Sequence, residues 1–160
     1  MKKIIFALAA FLGLMTQQGG AVETGTAFGV GIGALYSGIG VNIGLRGDGD
    51  FKYFAAGCPG IGYSNNSGWH LPCGIGAGWV WAGLLSEDDN RNSFGFYVGP
   101  VGIDNGNDDK ASYGLGLTYV YFLQGINASG WNVGVTPAIA IGKAHGDTKG
   151  ALLINVGYQF

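Results

Sequence analysis

Charge is what this sequence has least of. Asp, Glu, Lys and Arg together supply 11% of its 160 residues and sum to a formal charge of -2, where soluble domains carry roughly a quarter charged residues. That balance excludes the basic footprint of a nucleic-acid binder. Histidine occurs twice, and neither copy makes a catalytic constellation, which needs a base within reach of a nucleophile and an orienting carboxylate. His145 has Asp147 nearby in sequence but no Ser placed with them, and reads as a solvated loop residue. His70, between Trp69 and Leu71, reads as interfacial. There are two cysteines, Cys58 and Cys73, with one His near them and the wrong spacing for zinc. The acidic stretches Glu87–Asp89 and Asp104–Asp109 lack calcium-loop spacing. The Gly-x-Gly runs lack the Lys-Ser/Thr of a phosphate loop. No metal site, cofactor or catalytic residue is therefore expected. Nor is a membrane helix, because the apolar run Ile4–Met15 is well short of the roughly 20 residues a span requires.

That run has another reading. Lys2 and Lys3 precede it, and the small residues Gly19, Gly20 and Ala21 follow it. This is the layout of a cleavable signal peptide, with the cut expected after Ala21. The expected organisation is a signal peptide over 1–21 and one domain over 22–160.

Glycine is abundant, 33 of 160 residues, about three times its ordinary share of roughly 7%. Beyond residue 24 the charges gather in short polar clusters: Arg46–Asp50 with Lys52 just beyond, Glu87–Arg91, Asp104–Lys110 and Lys143–Lys149. Ser64–Gly68 and Gln124–Gly130 are uncharged breaks of the same kind. Gly, Asn, Asp and Ser favour turns because they accept positive φ or bond their own backbone. With a tight turn at Ser37-Gly38, seven turns separate eight segments: 25–36, 39–46, 51–63, 69–85, 93–103, 111–122, 131–142 and 151–160.

The segments alternate with period two. Phe28, Val30 and Ile32 stand against Gly29, Gly31 and Gly33; Leu115, Leu117, Tyr119 and Tyr121 stand against Gly114, Gly116, Thr118 and Val120. Such alternation puts the large side chains on one face of a strand. The opposite face is Gly, Ala, Asn and Thr, a poor surface for a soluble sheet. Inverted, with large residues toward lipid and small ones toward a lumen, the pattern fits a membrane barrel. Closure also pairs every strand edge, which hydrocarbon demands. The expected fold is all-β: an eight-stranded antiparallel up-and-down transmembrane β-barrel, preceded by a cleaved signal peptide.

Aromatics support that placement. Phe51/Tyr53, Trp79/Trp81, Phe94/Phe96, Tyr119/Tyr121 and Tyr158/Phe160 are spaced i, i+2. With both chain ends periplasmic, they and Trp131 form an outward girdle at the periplasmic rim, while Tyr36, Tyr63, Trp69 and Tyr113 mark the opposite rim. The lumen is expected to be lined by Asn42, Arg46, Tyr97, Thr118, Thr136, Asn155 and Gln159 among glycines, leaving a weakly polar cavity or a squeezed barrel.

The last segment, alternating Leu152, Ile154, Val156 and Tyr158 and ending on Phe160, resembles the C-terminal signal of bacterial outer-membrane β-barrel proteins. The resemblance implies outer-membrane localisation, contact with outer-membrane lipids and recognition of the terminal strand by the barrel-assembly machinery. Its short loops depart from the class. Lipid A deacylases are barrels of this size, but their His-x-Ser strand motif is missing. Two cysteines in an exported chain favour a disulfide. Alternation sets Cys58 on the small face and Cys73 on the large one, a conflict that bulges at Pro59 and Pro72 would resolve. For function the expectation is a structural or surface-interaction barrel. The alternatives are a narrow pore or carrier for weakly polar molecules, and a lipid-modifying enzyme. Oligomeric state is not legible.

Overall fold

A computed structural model describes residues 25–60, 62–64, 68–84, 90–104, 110–141 and 150–160, with side chains of 61–70 and Asp104 excluded. The proposed signal peptide, His145, the acidic loops after residues 84 and 104, and the side chains of Tyr63, Trp69 and His70 lie outside the described set.

The chain is all-β. Eight strands close into an antiparallel barrel: β1 (Gly25–Ile32), β2 (Ile39–Arg46), β3 (Asp50–Cys58), β6 (Gly74–Ala82), β7 (Asn92–Asp104), β8 (Lys110–Phe122), β9 (Gly130–Ala140) and β10 (Gly150–Gln159). Between β3 and β6 the chain makes a separate two-stranded sheet, β4 (Gly62–Ser64) with β5 (Gly68–His70). Closure comes from β10 meeting β1 over Gly29–Ile32 against Val156–Gln159. The start of β1 and the end of β10 therefore lie at one end of the barrel, the terminal end.

Burial alternates along the strands. On β8, Gly114, Gly116, Thr118 and Val120 are buried, while Leu115 and Leu117 are exposed. Leu117 is 69% exposed and Phe54 and Ile75 each 72%, whereas Asn42, Asn132, Asn155, Thr118, Thr136 and Gln159 are buried. Many large apolar groups face out while amides and hydroxyls face in, the reverse of a soluble barrel, although Phe51, Tyr53, Val80, Val120 and Phe122 are buried as well.

Three boundaries differ from the sequence expectation. The first segment leaves the wall at Ile32 rather than residue 36. The third ends at Cys58 and the fourth begins at Gly74, because residues 59–73 form the excursion that carries β4 and β5. Cys58 and Cys73 are joined by a disulfide at its base. The face conflict vanishes because Cys73 precedes β6 and is not bound by its alternation.

Opening that disulfide has a calculable effect. Closing a loop of about 15 residues is worth about 3 kcal/mol in the chain-entropy model. The double substitution Cys58→Ser, Cys73→Ser is expected to lower the urea-unfolding midpoint. It should also speed amide exchange in β4 and β5 while the eight-strand ladder stays protected. Equal exchange in the two proteins would show that the excursion is held without the bond.

Candidate functional site

The interior of the barrel is occupied by the chain's own first turn. After β1 the backbone does not rise to a hairpin tip. It bends inward at Gly33 (φ 102°) and returns at Gly38 (φ 103°), conformations that side chains with a Cβ rarely adopt. The two glycines exchange reciprocal N–H···O bonds of 2.9 Å and close a neck. Inside it, Ala34–Tyr36 form one 3₁₀ turn and Ser37 adopts the left-handed conformation (φ 56°). Ala34, Leu35, Tyr36 and Ser37 are all fully buried.

The lumen wall satisfies this stopper group by group. The Leu35 N–H donates to Asn155 Oδ1 at 3.2 Å, and the Asn42 amide donates to the Leu35 carbonyl at 2.9 Å. Asn155 in turn donates to Thr136 Oγ1 at 3.0 Å, and Thr136 to Thr118 Oγ1 at 3.1 Å. One polar line thus runs from the turn across β10, β9 and β8. The Tyr36 hydroxyl oxygen accepts from Asn132 Nδ2 at 2.7 Å and from Gln159 Nε2 at 3.4 Å. The Tyr97 hydroxyl donates to the Pro100 carbonyl at 3.1 Å and lies 3.2 Å from the Ser37 hydroxyl. Buried polar groups are tolerated when paired in this way.

The glycines have a corresponding role. A Cβ at Gly157 or Gly31 would strike the Tyr36 ring, and one at Gly76 would meet Ser37 Oγ and the Tyr97 ring. The small inward face is the seat of the stopper. Neither open alternative, a squeezed barrel or a weakly polar cavity, describes this part of the lumen: the space that glycine leaves is filled by residues 34–37.

Below the stopper, toward the terminal end, the lumen is packed. The Phe51 and Tyr53 rings stack at 5.5 Å between centroids and 17° between planes, beside buried Val80, Val120 and Phe122. Ile126, from the turn joining β8 to β9, is buried with them, its N–H donating to the Asn90 carbonyl at 2.8 Å.

The residues singled out from sequence separate as follows. Asn42, Arg46, Tyr97, Thr118, Thr136, Asn155 and Gln159 are all buried in the barrel. Of the girdle candidates, Trp79, Phe96 and Trp131 are exposed, and Trp81, Phe94, Tyr119, Tyr121, Tyr158 and Phe160 half-buried. Several pack together, along one strand (Trp79 with Trp81, Tyr158 with Phe160) or across two (Trp81 with Phe96, Phe94 with Tyr119, Trp131 with Tyr158). Phe51 and Tyr53 do not belong to that girdle. They pair with Arg46 and Gly44 of β2, and residues paired across strands share a face, so both point into the lumen. In their place β3 turns Lys52 outward, over the Trp79 ring at 4.8 Å and 2.8 Å from Asp50. Tyr36, assigned to the opposite rim, is the stopper's central side chain. Among the described residues no group of His, Cys, Asp and Glu could hold a metal ion.

No family model matches this chain. No curated protein and no solved structure matches it either.

Proposed function

We propose that the protein is a small outer-membrane β-barrel with a structural or surface-interaction role, stoppered by its own first turn. The observation that carries this reading is the inverted burial. Exposed Phe54, Ile75, Leu117 and Leu152 stand among many other exposed apolar side chains around the wall, whereas soluble monomers rarely expose contiguous apolar patches beyond a few hundred Å². The half-buried and exposed aromatics at the terminal end support the depth assignment, since aromatic rings favour the membrane interface.

The stopper bears on the choice among roles. A constantly open pore would need Ala34–Ser37 to leave the lumen, at the cost of the amide bonds that hold Leu35 and Tyr36. The reading is therefore of an anchor that presents the disulfide-bound β4–β5 excursion at the end opposite the terminal end. The test combines two measurements. The protein is expected to fractionate with outer membranes and to migrate anomalously on gels unless heated, and in planar bilayers the wild type should give no steady conductance. A protein that is folded and soluble without detergent would refute the membrane placement. A persistent open channel would refute the stoppered lumen.

A further inference from the structure

The wall of this barrel is uneven. β7 and β8 have 13 residues each, β1 and β2 only 8. The unevenness is sharpest beside β10, which is paired along its length with β9 but meets β1 only up to Val156. Gly150–Asn155 therefore continue past the end of β1, about 20 Å along the strand at about 3.3 Å per residue, or about 15 Å along the axis at a tilt near 40°. The six residues Gly33–Gly38 that would have extended the wall there are the ones folded inward.

The result is a sheet edge inside a closed barrel. Phe160 N–H donates to the Phe28 carbonyl at 2.7 Å, so even-numbered residues of β10 aim their N–H and C=O groups at β1. By this parity Ile154 and Leu152 aim theirs to the same side; the Ile154 carbonyl lies against Gly33, and beyond Gly33 no strand lies there among the described residues. Their side chains are 61% and 67% exposed. Leu152 stands six residues from the aromatic Tyr158, about 15 Å higher by the same geometry, inside an apolar band about 25 Å tall. Hydrocarbon at that depth offers no partner to a backbone N–H left unpaired. The excursion between β3 and β6 leans the other way, with Gly60 next to Ile103 of β7.

Below the gap, the outer face of β1, β2 and β3 is concave. A groove of about 720 Å³ is floored by Val30, Val41 and Ala56 and flanked by Phe28 and Phe160 on one side and Phe54 on the other. That volume lies within the roughly 300–1,000 Å³ typical of ligand sites.

On the membrane reading above, we propose that this low wall binds one glycerophospholipid, with an acyl chain in the Phe28–Phe54 groove and its uncharged ester carbonyl oxygens accepting from the Leu152 and Ile154 N–H groups. A strand from a second copy would satisfy the edge and leave the groove empty. A lipid fills both.

The test uses the full mature protein in dodecyl maltoside, a detergent without phosphate, titrated with dimyristoyl phosphatidylglycerol. The Leu152 and Ile154 amide resonances are expected to shift saturably near one equivalent, and their hydrogen exchange to slow by at least tenfold. Ala56→Trp, which fills the groove, should weaken the apparent affinity at least tenfold, while Leu117→Trp on β8, across the barrel from β2, should leave it unchanged. Shifts spread evenly over all outward residues would overturn the site, as would protection that follows dimer formation without added lipid. A chain that folds without detergent defeats the membrane reading. A detergent-requiring barrel whose two amides ignore the lipid defeats this proposal alone.

Discussion

Tyr36→Ala is expected to cost the barrel about 4 kcal/mol and to open its lumen. Truncating a fully buried large aromatic costs about 3–5 kcal/mol. The ring rests on the cross-strand pair Gly31 and Gly157, which cannot close in because both are fixed in the β1–β10 ladder. The loss also leaves the Asn132 and Gln159 amides without the oxygen they share, a penalty of about 1–3 kcal/mol for a buried unsatisfied group. Water entering the cavity offsets part of it. The urea-unfolding midpoint in lipid vesicles reads the first effect and bilayer conductance the second. An unchanged midpoint would mean that Tyr36 is not the keystone of the interior.

The second large effect comes from the opposite direction. Gly157→Val places a branched side chain where the Tyr36 ring sits, since the three atoms nearest to a Cβ there all belong to the Tyr36 side chain. Overpacking a filled core costs about 1–3 kcal/mol, and here the rigid partner is displaced rather than compressed, so the upper end of that range is expected. The informative variant is the pair. With Tyr36→Ala the valine enters vacated space, and the double variant should be more stable than the sum of the single effects by at least about 1 kcal/mol. Strict additivity of the two unfolding free energies would show that the ring does not occupy this seat in the folded protein.

Much of this architecture was legible in the sequence because a strand in a barrel has one degree of freedom that matters, its parity. The Gly/large alternation of Phe28–Gly33 and Leu115–Tyr121 sets parity directly. Where alternation is masked, parity must come from a neighbour. Phe51 and Tyr53 show this: i, i+2 spacing says that they share a face but not which face, and only pairing with Gly44 and Arg46 decides it. The outward Lys52 was equally hidden, because a charge near a turn looks the same whether it faces lipid headgroups or water.

The stopper escaped for a different reason. Its residues form no periodic element, and a 3₁₀ turn of three residues carries no pattern. One signal was present. The other turns are polar clusters, while Ala34-Leu35-Tyr36 between Gly33 and Gly38 is apolar and aromatic. An apolar turn in a chain whose turns are otherwise polar is a turn with somewhere dry to go.

The inward turn also constrains the order in which the molecule can be built. The Leu35 N–H and its acceptor Asn155 are 120 residues apart, as far as the chain's first hairpin is from its last strand. Bringing such distant segments together costs closure entropy before any contact repays it. A finished cylinder of packed glycines would leave no route for Tyr36 to enter. A β10–β1 seam closed without the turn inside would leave the Asn155, Asn132 and Gln159 amides without the partners that Leu35 and Tyr36 give them, so the seam is at its most stable only around a seated turn.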